Sequence, residues 1–553
     1  MRSSRGVLRS RPGAYGLPPL VPILVRLMLL ASLLFSGCNC GEEEGPPPAP
    51  MAPPQVGTPS ANPAGGEAEA PWPADPRQVT VHDAGDLARL DLGIVEHLDL
   101  ALSSPDRVGF IDEGSPEDGC AGLNLVKLAG QAPRLVSLRV SGCAGAVQSG
   151  LGAFAPRLTQ LELADMRIDG VIVGRLAQLE KLEQLSLRRV SAGSEPLTPL
   201  RKLDLQAVRL SELPKDSEIS LILDLWPRKL RSVVLEGSWA GHKAMLTLAK
   251  ADALERLELR DTRIGNFSLN QIKPLDKLRE VVFSGSTFND NSPLYFRGLP
   301  IKSFECDCAR LGDYGLRSLR HSTGIRKLLL RGTQITGEGL EALEDLSELE
   351  TLVLTGIDIG PKGLEALSKF PKLRKLQLSG ELEHPAMEKL SLLTGLEALV
   401  LDYPRLDDRA MPELAALTRL QTLDLGNTDV SDDGLASLSA LANLDALHLH
   451  HTRVTNRGLA SLSPLTSLRV LELDHTDVVD AGIEHLAPLT SLEVLRLDHT
   501  LVTDGAIEHI VKLRALRRLN LSHTVVTRNG IAPLSGLPEL ETLGLDGTRA
   551  RAP

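Results

Sequence analysis

Residues 420–443 read LQTLDLGNTDVSDDGLASLSALAN, and residues 444–467 read LDALHLHHTRVTNRGLASLSPLTS. The two stretches share one frame, Leu-x-x-Leu-x-Leu-x-x-Thr-x-Val, repeated after 24 residues. In the first, Leu423 and Leu425 alternate with Thr422 and Asp424, which predicts a short strand with one buried face. Leu435, Leu438 and Leu441 then recur at helical intervals, which predicts a helical segment on the return path. The frame opens again at Leu468, Leu492 and Leu516, and Leu540 opens a truncated copy. Toward the N-terminus, starts fall at Leu396, Leu373, Leu349, Ile325, Ile301, Leu278 and Leu254, spaced by 23 or 24 residues. Leu230, Leu200, Leu182, Leu158 and Leu135 begin irregularly spaced copies, and Val95 a degenerate first one, about eighteen or nineteen units in all.

One such unit buries too few aliphatic side chains to offset the entropy of ordering its backbone. Stacking lets neighbours share their buried faces and satisfies the strand hydrogen bonds, so the repeat predicts a solenoid. The turn after each strand is expected to be locally specified. Ser431 stands where an N-cap would, and Asp432 and Asp433 suit the positive end of the helix that follows. Gly434, Gly458, Gly482 and Gly530, with Ala410 and Ala506, keep one position small, as a close approach between coils requires. Thr428, Thr452, Thr476, Thr500 and Thr524 recur at the turn and are expected to bond backbone groups of the adjacent coil as a ladder.

This frame, with its "VTDxGLxxLxxL" continuation, resembles the leucine-rich repeat, closest to the cysteine-containing and ribonuclease-inhibitor-like classes, over about residues 79–553. Thr fills the position those classes give to Asn or Cys. The resemblance implies an α/β fold, a right-handed leucine-rich repeat solenoid with a concave parallel β-sheet and short helices on the convex side. Residues 79–134 are expected to form an N-terminal cap and irregular first repeat, 135–253 irregular repeats, and 254–553 regular ones.

The N-terminus carries Arg2, Arg5, Arg9 and Arg11, then an apolar run from Leu27 to Phe35, then Ser36, Gly37 and Cys38. These are the parts of a secretory signal, and the apolar run is too short to remain as a membrane span. LLFSGC, ending at Cys38, resembles a bacterial lipobox. That resemblance implies a signal peptide over residues 1–38, an acylated Cys38 anchored in a lipid membrane, and a place in the bacterial cell envelope, at the outer membrane or periplasmic face. An ordinary signal peptide with an incidental Cys is the alternative. Residues 39–78 are rich in Pro, Gly and Ala and are expected to be a disordered tether.

The formal charge of −11 argues against a nucleic-acid partner. Aromatic residues make up 3 % of the chain, so a contact surface built on aromatic anchors is not expected. Asp424, His448, Glu472, Arg496 and Asn520 fall on the outward face of consecutive strands, a polar and charge-mixed candidate binding surface.

His451, His475, His499 and His523 occupy one slot of four consecutive copies and are expected to stack at the sheet edge, with Asp474 and Asp498 one residue earlier. Three readings stand for this column: a solvated polar edge, a protein-binding surface that weakens when the imidazoles charge, or a divalent metal site. No catalytic residues are assigned, because HExxH, GxSxG and GxxxxGK are all absent, and no cofactor is expected.

Cys120 and Cys143 are candidates for one disulfide in an exported chain. Cys306 and Cys308, two apart on one strand, are expected to be badly placed to bond to each other. Asp106, Asp112, Glu113, Glu117 and Asp118 form an acidic stretch that reads as a solvated loop or a calcium site.

The function these readings predict is a membrane-anchored, non-enzymatic scaffold that recognises a protein or cell-envelope component through the concave sheet. One alternative is a substrate-recruiting adaptor, by resemblance to the repeat arms of F-box-type ubiquitin ligases and of bacterial effectors. Another is an enzyme or metal-binding protein that uses the His column.

Overall fold

The computed structural model describes residues 78–81, 92–100, 120, 123–192, 196–285, 287–380 and 384–550. Cys38, the signal, the tether and the acidic stretch at 106–118 lie outside them. Each coil contributes one strand to the main sheet, where each pairs in parallel with the strands of the coils before and after it, from Gln78–Val81 to Thr542–Gly544, and Arg167–Ile168 and Ser191–Ala192 form a separate small parallel pair. The result is one open, concave sheet of 20 strands, with short α and 3-10 helices returning on the other side. The solenoid expected from the repeat is therefore observed.

The register is the frame itself. Leu423, Leu447, Leu471, Leu495, Leu519 and Leu543 are direct partners across successive strands. Their neighbours two residues on, such as Leu425, Leu449 and Leu473, are fully buried as well. With the helix-side Leu435, Leu459 and Leu486 they form a single hydrophobic core that runs without a break from Val81 to Leu537. Aromatic residues enter this core chiefly in one place. Phe283, Phe288, Phe296 and Phe304 pack together with ring centroids 4.4 to 6.3 Å apart.

Two details of the frame differ from the sequence reading. The sheet starts one strand earlier than the frame, at Gln78–Val81. The unit placed at Leu200 opens at Leu205 instead, because Ala207–Ser211 is the strand that pairs with Gln184–Arg188. Leu200 belongs to the 3-10 helix Thr198–Lys202, where it packs in the core and its carbonyl accepts a bond from the indole N–H of Trp226. Leu200, Leu203 and Leu205 imitate the frame, but Val208 and Leu210 carry the inward strand face.

The Thr position is specified differently from the expectation. Thr428 Oγ1 donates to the carbonyl of Leu425 in its own coil at 2.6 Å, and Thr452, Thr476, Thr500 and Thr524 repeat the bond. The buried hydroxyl finds its acceptor within its own turn, three residues back. The ladder between coils is made by a column of acids at the helix start. Asp408 accepts from the backbone N–H and hydroxyl of Ser431, Asp432 from those of Thr455, Asp480 from those of Thr503, and Asp504 from those of Thr527. Ser431 holds the N-cap position and donates its hydroxyl to Asp408 without accepting from its own helix, whereas Thr503 and Thr527 do both. The small residue of the frame lies over this column: a Cβ on Gly482 would stand 2.6 Å from Asn456 Oδ1 and 3.1 Å from its Cα.

Candidate functional site

The five outward residues chosen from the sequence form one continuous row. Asp424, His448, Glu472, Arg496 and Asn520 are direct partners on adjacent strands. They are not free charges awaiting a ligand. His448 Nδ1 lies 2.8 Å from Glu472 Oε2, and the Arg496 guanidinium lies 3.7 Å from Glu472, 3.6 Å from Asp474 and 3.3 Å from Asp498. Asn520 Nδ2 donates to Asp498 Oδ1 at 2.8 Å. Arg496 is only 12 % exposed, so one guanidinium is sunk among three carboxylates.

That arrangement sets the proton affinities. Burial works against a charged His448, but the bond and charge of Glu472, with Asp424 behind it, outweigh burial and raise its pKa. Burial pushes Glu472 upward, yet His448 and Arg496 outweigh it and hold the carboxyl below its ordinary range. For Asp474, burial dominates and, with Asp498 and Glu472 nearby, raises the carboxyl even against Arg496. The strands supply this geometry directly, since successive coils place equivalent side chains at the inter-strand spacing of about 4.8 Å.

The histidine column lies beside this row, just past the strand ends. His451, His475, His499 and His523 are exposed, and their rings stack face to face with centroids 4.0, 4.2 and 4.3 Å apart. Each has a positive φ between 52° and 56°. The same slot holds Asn427 at 59° and Gly547, Gly332 and Gly356 elsewhere in the chain. A left-handed residue is therefore built into the turn, mostly Gly, Asn, Asp or His, with Arg189 and Glu212 in two irregular coils. Asp474 and Asp498 lie just past the strand ends and are buried beside Arg496 of the outward row, while the adjacent histidines face solvent. The recurrence of Gly at this slot was the sequence signal for the left-handed turn.

Cys308 and Tyr403 hold the same slot in their coils and behave in the opposite way. Both are buried, whereas the following residues, Ala309 and Pro404, are exposed. Cys308 is bonded to Cys306, with Cα atoms 5.4 Å apart, which corrects the expectation that the pair could not meet. The strand ends at Asp307, and the turn then carries Cys308 back toward the inward face that Cys306 already occupies. Cys120 and Cys143 are joined as well, with Cα atoms 5.7 Å apart.

Two further surfaces were not singled out in the sequence. On the concave side of the first coils, a trough of about 670 Å³ is lined by Asp99, Arg139, Glu162 and Arg209 among others. Its charges are also paired, Arg139 with Asp99 at 3.3 Å and with Glu162 at 3.1 Å, and Arg209 with Glu236. On the helix side, Arg263 stacks over the half-exposed indole of Trp239 at 3.5 Å, and His242 packs against Phe267 at 4.9 Å. The outward strand row between the trough and Asp424 mixes buried Val282, Leu329 and Val353 with Glu258, Glu305 and Gln377.

Among comparisons with known proteins, residues 417–439 match the family model described as Leucine Rich repeat. No curated protein matches the chain. Similar solved structures include an internalin (inlF) from Listeria monocytogenes str. 4b F2365, at 21 % identity and TM-score 0.37, covering 55 % of this chain and 78 % of that one. They also include the plant peptide hormone receptor RGFR1 in complex with RGF2, at 16 % identity and TM-score 0.37, covering 85 % of each chain. A third is the TLR13-ssRNA13 complex, at 19 % identity and TM-score 0.48, covering 76 % of this chain and 72 % of that one. These likenesses concern the kind of fold alone. With residues 417–439 matched by the family model and the same frame held in register from coil to coil, the fold of the described residues is a leucine-rich repeat solenoid.

Proposed function

We propose that the chain is a non-enzymatic scaffold that recognises a protein partner through the concave sheet, held at a membrane by acylated Cys38 in the bacterial cell envelope. The observation that carries the recognition reading is the row from Asp424 to Asn520, a polar face fixed in register by the strands and ordered by its own ion pairs. A surface ordered before contact loses little side-chain entropy on binding. Paired charges also favour selectivity for a complementary polar partner over raw affinity. The lipid anchor rests on LLFSGC, and the exclusion of nucleic acid on the net charge of −11.

The test uses the Cys38→Ser chain, made soluble by loss of the acylation site, as bait against solubilised envelope proteins. A protein partner should be captured that is released as salt rises. It should be lost with Glu472→Gln or Arg139→Gln on the concave face and kept with Glu484→Gln on the helix side. Capture that is indifferent to the concave substitutions, turnover of a substrate by the chain alone, or preferential retention of RNA or DNA would each contradict the reading. Metabolic labelling with a fatty acid, present in the natural chain and absent from Cys38→Ser, tests the anchor separately.

A further inference from the structure

We propose that His451, Asp474 and His475 bind one divalent transition-metal ion of the zinc class. One donor atom from each of the three lies within 4.8 Å of the other two, and His475, Asp498 and His499 form a second such group. Two imidazoles and a carboxylate are a common zinc donor set, with water completing the tetrahedron. Bonds of about 2.0 Å in that geometry place donors about 3.3 Å apart. Closing the remaining distance requires the exposed imidazoles of His451 and His475 to rotate out of their 4.0 Å stack.

Asp474 separates the two groups. Its side chain is 8 % exposed and its Oδ1 has no hydrogen bond, with the Arg496 guanidinium 3.6 Å away as its charge partner. A buried acceptor without a donor, at the foot of two exposed imidazoles, is an atom in want of a cation. Asp498 is already engaged by Asn520 at 2.8 Å and Arg496 at 3.3 Å. The first group is therefore the site, and because both groups need His475, occupancy of one excludes the other. The nearby guanidinium does not forbid a cation, since it stands against three carboxylates, Glu472, Asp474 and Asp498. This inference does not depend on the recognition function proposed above.

The test is a titration of the chelator-stripped full chain with zinc chloride against a chromophoric competitor, with metal content counted by mass spectrometry. Suitable variants are supplied by the repeat itself. Asn427 occupies the histidine slot at the same backbone angle, and Ser522 occupies the row of Asp474, so His→Asn and Asp474→Ser preserve the local conformation. The proposal expects one zinc per chain. His451→Asn, His475→Asn and Asp474→Ser should each weaken binding about tenfold or more, as loss of a ligand requires. His523→Asn and His499→Asn should stay within about twofold of the natural chain. No zinc retained at micromolar concentration would overturn the site. So would equal losses in His475→Asn and His523→Asn. A loss in His499→Asn as large as that in His451→Asn would overturn the assignment to Asp474. Circular dichroism of each variant confirms the fold, and if Asp474→Ser unfolds, His451→Asn decides alone.

Discussion

The coil that opens at Leu444 and the coil that opens at Leu396 have the same length and the same three buried leucines at the strand, yet they end their strands in opposite ways. In the first, His451 is left-handed and exposed, and Thr452 is buried and bonded to Leu449. In the second, Tyr403 turns inward, Pro404 is exposed, and Leu406 closes the turn on the Tyr403 carbonyl at 2.8 Å. The coil at Ile301 follows the second pattern with Cys308. The leucine frame thus fixes the stack, and the slot after the strand decides what the edge presents. Where that slot holds a residue that accepts the left-handed region, the edge displays it, and four such coils in sequence make the histidine column.

The sharpest way to break this comparison is to place glycine at both kinds of slot. Tyr403→Gly should cost about 3–5 kcal/mol, because it empties a buried aromatic site. His475→Gly should be near neutral, because glycine accepts a positive φ without strain. Equal costs in chemical denaturation would show that the two turns are one.

The second test concerns the charged row beside the column. Arg496→Leu should destabilise by about 3 kcal/mol at pH 7, since it leaves Glu472, Asp474 and Asp498 without their shared cation. Arg496 lowers the proton affinity of Glu472 and Asp474, so without it both carboxyls hold protons more tightly than in the natural chain and the deficit should shrink as pH falls toward 4. A deficit that is constant with pH would mean that Arg496 acts through packing only.

The acid ladder gives a smaller effect. Asp432→Ala removes two bonds to Thr455 and should cost about 1–2 kcal/mol, read by denaturant midpoint. Replacing Thr455 by Ala in that background should add little, whereas in the natural chain it should cost about half as much, since the backbone bond to Asp432 remains. Full additivity would dissolve the pairing between coils.

The smallest expected effect is the pH dependence of His448 and Glu472. The folded pKa of His448 lies above its ordinary 6.5, so its contribution is complete below that value and is lost as pH rises through the folded one. Glu472 lies below its ordinary 4.5, so its contribution is complete above that value and is lost as pH falls through the folded one. The pair therefore contributes most between pH 4.5 and 6.5. His448→Gln should cost about 1 kcal/mol or less there and lose most of that cost by pH 8.5. A cost that grows with pH would reverse the assignment of charge.

The buried frame was legible because burial repeats with the strand and helix periods, and leucine spacing records both. It misled at Leu200, which starts a false frame with Leu203 and Leu205 but lies in the helix Thr198–Lys202, while the true strand uses Val208 and Leu210. The histidine column was legible as a column, since the coil spacing carries any slot into register. What Asp474 does beside it was not, because alternation along a strand gives no direction once the strand has ended. Cys308 and Tyr403 were hidden for the same reason: slot number gives position along the coil, and the turn conformation decides inward or outward. The bonds from Asp432 and its counterparts join residues 23 apart in sequence, a pairing that becomes visible only when the coils are stacked.

The central claim is that each coil completes its core with its neighbours, so that whole coils are exchangeable units. Removing residues 444–467 joins Asn443 to Leu468 with the frame intact. The shortened chain should fold with a continuous parallel sheet one strand smaller, and its denaturant m-value should fall in proportion to the surface removed. Removing only residues 444–455 should unfold the coils around the junction. If the whole-coil deletion unfolds as the half-coil deletion does, the coils are not interchangeable and the account is wrong.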